Sequence, residues 1–319
     1  MSVFSFPSSA AAVSPRDAGA VAPGRPGADP SAHCAAAAPG GPDGAVPAGP
    51  GPRPAEDPVV GRLRAAGCVF AEDEARLLRA QARSAAELAA LVERRVTGVP
   101  LEQVLGWAEF CGLRIAVEPG VFVPRRRTEF LARRAVELAG RASARDAGTD
   151  PVVVDLCCGT GAVGAVLAAE VPRARLYAAD VDAAAVRCAR RNVPAGARVY
   201  RGDLYRPLPP ELRGRVDVLV ANAPYVPTEQ IALLPPEARD HEPRVALDGG
   251  ADGLAVQRRV TAGAPGWLAP GGRLLVETSE RQAPRTAAEV ARAGLVPQVV
   301  SCEELYATVV IGTRPGRGD

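Results

Sequence analysis

Hydrophobic and polar positions divide this chain into regions with different periods. Between about residues 57 and 105, apolar side chains recur three and four residues apart, which predicts amphipathic helices. Ser84 followed by Glu87 is typical of a capping box at the start of a helix. We therefore predict a small module of two or three helices over residues 56–107.

The pattern changes to a period of two after this module. Apolar and polar positions alternate over residues 113–117, Pro119-Gly120 predicts a turn, and residues 121–123 predict a returning strand. This pattern indicates a β-hairpin that links two parts of the chain, over residues 108–127.

A helical stretch follows from Thr128 to about Leu138, and from residue 151 short apolar runs alternate with helical patterns. The predicted strands cover residues 152–155, 174–179, 197–201, 216–221, 272–277, 297–302 and 306–311. The predicted helices cover residues 161–170, 182–191, 252–264 and 280–293. This order predicts an α/β domain over residues 128–314 whose sheet is mainly parallel and ends in an antiparallel hairpin.

Composition narrows the class of protein. Residues 1–55 are rich in Ala, Pro and Gly without a period, which predicts a disordered low-complexity tail. The 319 residues carry a formal net charge of +2, so a broad surface for coating nucleic acid is not expected.

The cysteines and the hydropathy pattern bear on location. The seven cysteines are scattered and match no zinc-binding spacing, so we expect reduced thiols and no metal site. Neither a signal peptide nor an apolar run long enough to cross a membrane is evident. Together these features predict a cytoplasmic protein, and we expect it to be a monomer.

A glycine-rich loop follows the first strand of the predicted sheet. Gly159, Gly161 and Gly164 match G-x-G-x-x-G, a pattern that allows tight turns and close approach of a ligand to the backbone. Asp180 ends the next strand, nineteen residues after Gly161, where a carboxylate can accept both hydroxyl protons of a ribose. The pattern alone is compatible with a dinucleotide or another nucleoside cofactor.

Three further side chains favour S-adenosylmethionine over NAD. Asp155 precedes the glycines, where it can hold the loop or meet the ammonium group of the ligand. Asp203 follows the third strand, placed to accept a hydrogen bond from an adenine amine, and Asn222 follows the fourth. In an open α/β sheet these positions lie at the carboxyl ends of strands, where ligands bind.

The turn Asn222-Ala223-Pro224-Tyr225 indicates the chemistry. The Asn222 side chain and the following carbonyl provide two acceptors for the two N–H bonds of an NH₂ group. Pro224 restricts the backbone, and Tyr225 offers a flat face to a planar substrate. We expect catalysis by positioning of this nitrogen, because no side chain in the set is a strong base.

Taken together, these elements resemble the protein-(glutamine-N5) methyltransferases of the HemK/PrmC family, over about residues 60 to 312. The resemblance rests on Gly98-Val99-Pro100-Leu101 with Gly106 and Glu109-Phe110, Val123-Pro124-Arg125 with Thr128-Glu129, the loop and turn above, Glu242-Pro243, Ala246-Leu247-Asp248-Gly249-Gly250 and Asp252-Gly253-Leu254.

The resemblance implies a seven-stranded, Rossmann-like methyltransferase domain behind a helical module, and methylation of the Gly-Gly-Gln glutamine of a peptide-chain release factor. It implies that residues 222–225 hold the glutamine amide. It also implies that the methyl donor is lined by Cys157, Cys158, Gly159, Thr160, Gly161, Asp180, Leu204 and Asn222. The chain departs from the family pattern in having Ala223 for a proline, Cys157 for a glycine and a shortened helical module.

Three other functions fit parts of the pattern. A methyltransferase of the same fold could act on an exocyclic nitrogen of RNA or DNA, although we do not expect direct nucleic-acid binding from this charge balance. A protein that binds the donor without turnover would explain Ala223 and Cys157. An NAD-linked oxidoreductase would explain only the glycines.

Overall fold

The computed structural model describes residues 57–145 and 149–316, so the predicted tail over residues 1–55 lies outside the described part. Residues 57–107, the described part of the predicted module, contain four helices rather than two or three. They are α1 (Pro58–Ala65), α2 (Ala71–Gln81), α3 (Ala85–Val96) and α4 (Leu101–Leu105). The five-residue helix α4 is too short to show a period, and it ends at Gly106, which has a φ of +81°.

The predicted cap of α3 is present. The Glu87 backbone N–H donates to Ser84 Oγ at 3.1 Å, and Glu87 Oε2 accepts from the Arg83 N–H at 2.7 Å. In a capping box the Glu87 carboxylate would accept from the N–H of the cap residue, Ser84. Here it accepts from the N–H of the residue before the cap, Arg83.

The hairpin prediction was wrong in its pairing. Strand β1 (Trp107–Phe110) pairs antiparallel with β2 (Leu113–Ala116), and residues 121–123 form no strand. The turn is Cys111-Gly112, where φ is +50° and +76°, as a two-residue hairpin turn requires. The sequence concealed this turn because cysteine rarely adopts a positive φ, whereas Pro119-Gly120 is a common turn pair.

The rest of the chain forms one seven-stranded sheet in the order β5-β4-β3-β6-β7-β9-β8. Its strands are β3 (Val152–Leu156), β4 (Arg175–Asp180), β5 (Arg198–Arg201), β6 (Val216–Ala221), β7 (Leu268–Thr278), β8 (Val296–Cys302) and β9 (Ala307–Thr313). Strands β3 to β7 pair in parallel, and β9 pairs antiparallel with both β7 and β8. The predicted mainly parallel sheet and its terminal hairpin are confirmed.

Helices cover both faces of this sheet. The helices after the hairpin are α5 (Thr128–Arg145), α6 (Ala162–Glu170), α7 (Ala183–Asn192), α8 (Pro236–His241), α9 (Arg244–Leu247), α10 (Ala255–Gly263) and α11 (Ala283–Arg292), of which the short α8 and α9 lie in the connection between β6 and β7. Along β3, Val152 and Val154 belong to one apolar core with Val260 of α10, whereas Val153 belongs to a second with Leu131 of α5. Because side chains alternate across a strand, a continuous apolar run buries both faces and fixes the strands rigidly.

Candidate active site

A single edge of the sheet collects most of the predicted site residues. Strands β3, β4, β5 and β6 run in parallel, so their carboxyl ends meet at one edge. A cavity of about 550 Å³ opens there. Its lining includes Asp155, Cys157, Cys158, Gly159, Thr160, Asp180, Asp203, Leu204, Asn222, Ala223, Pro224 and Tyr225. Gly161 does not line it: this residue is the N-cap of α6, and a Cβ there would lie 3.0 Å from the Ala189 backbone.

Asp155 lies at the floor of the cavity and is 2% exposed. One carboxylate oxygen accepts a hydrogen bond from the Gly164 N–H at 3.2 Å, which ties the loop to the start of α6. Burial raises the pKa of Asp155 to about 7, and the hydrogen bond from Gly164 offsets only part of this effect. The side chain is therefore poised to ionise when a cation approaches.

Asp180 holds the glycine-rich loop from the neighbouring strand. Its two oxygens accept hydrogen bonds from the N–H groups of Gly159 and Asp182, both at 2.9 Å. Burial raises the pKa of Asp180 despite these bonds. Each oxygen retains a further lone pair, because a carboxylate has about four acceptor positions, and the residue lines the cavity.

Asp203 has a partner that the sequence did not reveal. Arg259, on α10, donates to Asp203 Oδ2 at 2.6 Å, and it also lines the cavity. The two residues are 56 positions apart, and Arg259 belongs to no recognisable motif. Only the packing of α10 against the sheet brings them together.

Two loop residues adopt a backbone conformation that usually favours glycine. Cys157 has a φ of +55° and Leu204 a φ of +49°. A non-glycine residue in this region costs on the order of 1–2 kcal/mol. Burial also raises the pKa of the Cys157 thiol, so this side chain is a neutral wall of the cavity.

Asn192 is a second residue that sequence reasoning missed. Its Nδ2 donates to the carbonyl oxygens of Ala116 and Thr160 at 2.9 and 2.8 Å, while its Oδ1 accepts from the Ala116 N–H at 2.8 Å. It thereby joins the β1–β2 hairpin to the glycine-rich loop. An asparagine at a helix end carries no sequence signal for such a role.

The turn after β6 presents two acceptors to the cavity. Asn222 Nδ2 donates to Thr128 Oγ1 at 3.3 Å. Among the described residues, no hydrogen bond uses Asn222 Oδ1 or the Ala223 carbonyl. Both groups belong to residues that line the cavity, and neither oxygen is committed to a described partner.

Glu277, near the end of β7, lies behind this turn. It is 1% exposed, and its Oε1 accepts from the Tyr225 hydroxyl at 3.2 Å and lies 3.5 Å from Arg127 Nε. The register pairs Ala221 with Val276, so Asn222, the first residue after β6, follows beside Glu277 of β7. Burial raises the pKa of Glu277, whereas Thr128, Arg127 and Tyr225 partly oppose this effect by favouring its charged form.

The segment over residues 247–254 supports the turn from the other side. Val226 exchanges backbone hydrogen bonds with this segment, donating to the Leu247 carbonyl and accepting from the Gly249 N–H. A Cβ on Gly253 would lie 2.4 Å from the Tyr225 carbonyl oxygen, so this position accepts only glycine. The elements Leu247-Asp248-Gly249-Gly250 and Asp252-Gly253-Leu254 therefore form the rear support of the site.

Two other distant motifs meet directly. Glu242 Oε1 accepts from the Val123 N–H at 3.0 Å, and its Oε2 accepts from Arg125 at 2.6 Å. This contact joins the segment before α5 to the loop after α8, and Arg125 lines the cavity mouth. The Val-Pro-Arg and Glu-Pro elements of the sequence therefore form a single contact in the structure.

The arginine cluster over residues 125–134 is largely neutralised. Arg125, Arg127, Arg133 and Arg134 pair with Glu242, Glu277, Glu129 and Glu137 respectively. Cations that already face carboxylates contribute little to a phosphate-binding surface. Within residues 57–145 and 149–316, no group of three or more His, Cys, Asp or Glu residues could hold a metal ion, and no helix is long and apolar enough to span a membrane.

Comparison with known proteins agrees with this geometry. The family model "Methyltransferase small domain" matches residues 132–234. A release factor glutamine methyltransferase of Geobacter sulfurreducens is 38% identical over 236 residues, which cover 72% of this chain and 79% of the relative. The chain belongs to the release factor glutamine methyltransferase family.

Two other relatives bear on substrate range. A release factor glutamine methyltransferase of Mycolicibacterium smegmatis is 42% identical over 61% of this chain and 67% of the relative. A 4-amino-L-phenylalanine/4-methylamino-L-phenylalanine methyltransferase of Streptomyces pristinaespiralis is 43% identical over 60% of this chain and 65% of the relative.

The order of the strands and the family match together identify the sheet as that of a class I, Rossmann-like, S-adenosylmethionine-dependent methyltransferase, as predicted.

Proposed function

We propose that this member of the release factor glutamine methyltransferase family methylates the side-chain amide nitrogen of the glutamine in the Gly-Gly-Gln motif of a peptide-chain release factor, in the cytoplasm. The observation that carries the proposal is the pair of unused acceptors, Asn222 Oδ1 and the Ala223 carbonyl, beside a cavity with three carboxylates. Two acceptors match the two N–H bonds of a primary amide.

The donor set of the cavity suits S-adenosylmethionine. Asp155, Asp180 and Asp203 can meet an ammonium group, ribose hydroxyls and an adenine amine, respectively. The same three carboxylates disfavour a pyrophosphate, which counts against NAD. When bound, S-adenosylmethionine supplies a methyl group on a positively charged sulfur. Cys157, Cys158, Gly159, Thr160 and Leu204 would form the wall around it.

The turn orients the acceptor nitrogen. With both N–H bonds held by Asn222 Oδ1 and the Ala223 carbonyl, the remaining face of the nitrogen points away from the turn. Positive charge grows on this nitrogen during transfer, and both oxygens stabilise it because they are fixed beforehand. Tyr225 is held by Glu277 and Arg127, so its ring can flank a planar amide.

The pKa of Asp155 predicts a pH dependence of donor binding. The carboxylate attracts an ammonium group only when ionised, so donor binding should release a proton from Asp155 below about pH 7. We expect affinity to rise by up to about tenfold from pH 6 to pH 7.5. Calorimetry in buffers of different ionisation enthalpy measures this proton release. Asp155→Asn should bind more weakly and should lose the dependence; an unchanged dependence in this variant would contradict the assignment.

The relative that acts on 4-amino-L-phenylalanine supports a second candidate substrate, a small aromatic primary amine. An aryl NH₂ also has two N–H bonds for the same two acceptors. The neutralised arginine cluster counts against the third candidate, a base in RNA or DNA.

The deciding experiment offers all candidates to the full chain with radiolabelled S-adenosylmethionine. We expect label on a release factor and none on its variant with Gln→Ala in the Gly-Gly-Gln motif. Label on 4-amino-L-phenylalanine alone would establish the second candidate. Label on both release factors, or on neither, would reject the glutamine of this motif as the acceptor.

A further inference from the structure

One carboxylate oxygen of Glu277, Oε2, is buried without a hydrogen-bond partner in the described part of the chain. Its Oε1 receives the Tyr225 hydroxyl and the Arg127 guanidinium, but Oε2 is buried and accepts no hydrogen bond of good geometry in the described part of the chain. A buried carboxylate oxygen is costly unless a donor serves it. The Thr128 hydroxyl is a neighbouring donor that favours the charged form of this carboxylate and lowers its pKa.

Thr128 also lies next to the proposed catalytic amide. It is 3% exposed, and its Oγ1 lies 3.3 Å from Asn222 Nδ2. A hydroxyl has one proton to donate and two lone pairs to accept with. If that proton goes to Glu277, Thr128 can offer Asn222 only a lone pair. Asn222 must then turn its NH₂ toward Thr128 and its Oδ1 toward the cavity.

We propose that Glu277 is a positioning residue that sets the orientation of the Asn222 amide through the Thr128 hydroxyl. This inference rests on the proposed function, because only an NH₂ substrate requires an acceptor at Asn222. The carboxylate can only accept, so donation of the Thr128 proton to Glu277 would fix the direction of the hydrogen bond between Asn222 and Thr128. Glu277 itself does not line the cavity and does not contact the substrate.

The nearly isosteric change Glu277→Gln alters the direction of hydrogen bonding while it keeps the shape of the side chain. Tyr225 and Arg127 both donate, so they select the glutamine oxygen and leave its NH₂ facing Thr128. Thr128 then accepts from this NH₂ and gives its own proton to Asn222 Oδ1. The amide of Asn222 reverses and presents its NH₂ to the NH₂ of the substrate, donor against donor. We expect kcat to fall by about 10²-fold, with donor affinity unchanged.

Replacing Thr128 should suppress this defect. In Thr128→Val the Asn222 amide is no longer held in either direction, and we expect a loss of about tenfold, whereas Thr128→Ser should retain activity. In the double variant Glu277→Gln with Thr128→Val, nothing drives the reversal. Its kcat should equal that of Thr128→Val and exceed that of Glu277→Gln. A merely structural role would instead give losses that accumulate.

The test measures kcat at saturating donor for these variants, with the exposed Glu280→Gln as matched control. Activity of Glu277→Gln near that of the control, or a double variant worse than both single variants, would overturn the proposal. If Glu277→Gln does not fold, equal activity of Thr128→Val and Thr128→Ser would overturn it.

NMR gives a readout without turnover: contacts of the Asn222 Nδ2 protons with the Thr128 methyl should be present in wild type and lost in Glu277→Gln. Their persistence there would also overturn it, whereas an inactive wild type with the expected NMR change would reject only the proposed function.

Discussion

Asn222→Ala should reduce kcat for methyl transfer by 10²-fold or more, on the order of the cost of removing one preorganised polar contact. The variant deletes Oδ1, an acceptor that no described residue uses, so the protein loses only the weak 3.3 Å bond to Thr128. Because stability depends little on this bond, the loss should lie in the chemical step. Single-turnover measurement at saturating donor isolates that step.

Two controls accompany this variant. Donor affinity should change far less than kcat and the thermal midpoint should match wild type, since the carboxylates of the cavity and both apolar cores are untouched. Transfer at the normal rate by Asn222→Ala would show that the side-chain oxygen does not hold the acceptor nitrogen. The proposed mechanism would then fail even if the cofactor assignment held.

Asp180→Ala should weaken donor binding by about 10²-fold or more. The carboxylate accepts from Gly159 and Asp182, retains further lone pairs and belongs to a residue that lines the cavity, so the variant removes a ligand contact and releases the loop. Hydrogen bonds to a charged group contribute about 1.5–3 kcal/mol each, and two such losses account for this factor. Isothermal titration with the donor's demethylated product measures the change without turnover.

Asp150→Ala provides the matched control for this measurement. Asp150 is exposed and pairs with Arg173 before β3 begins, at the opposite end of the strand from the cavity. We expect its product affinity to equal that of wild type. Equal affinity of Asp180→Ala and Asp150→Ala would show that the ribose-binding position has been wrongly assigned.

Strong local patterns made most of the sheet predictable. The run Val152-Val153-Val154 buries both faces of a central strand, and such continuous apolar segments give strand positions to within one or two residues. Strand β7 was an exception, because it begins at Leu268 rather than at residue 272, through Pro270-Gly271-Gly272. Those residues indicate a turn by composition, and they do form an irregularity: the pairing with β6 passes from Leu268 directly to Arg273, and Gly271 has a φ of +74°.

The candidate site was predictable only in part. Aspartates and the Asn222 turn followed strands, so their meeting at one edge could be expected from the topology. Sequence reasoning could not find three other residues, Arg259, Asn192 and Glu277. Each forms a hydrogen bond with a residue more than thirty positions away in the sequence, and no local pattern reveals such a contact. Glu277 in particular ends an ordinary apolar strand, and its importance depends on burial that no local pattern shows.

The scattered motifs gained a physical meaning from the structure. Gly253 is required where its backbone passes behind Tyr225, and Gly249 is required where it meets the Gly253 backbone. Glu242 is required because it holds both the Val123 N–H and Arg125. Ala223 lacks the ring of a proline, yet it is 1% exposed and packed in the core of the sheet. That packing supplies rigidity which the missing ring would otherwise provide.

The decisive measurement is a crystal structure of the full chain with the donor's demethylated product and a Gly-Gly-Gln peptide. We expect the glutamine nitrogen about 3 Å from both Asn222 Oδ1 and the Ala223 carbonyl, with the product's sulfur on its free side. A glutamine amide bound away from residues 222–225, or a product molecule outside the cavity of Asp155 and Asp180, would contradict it.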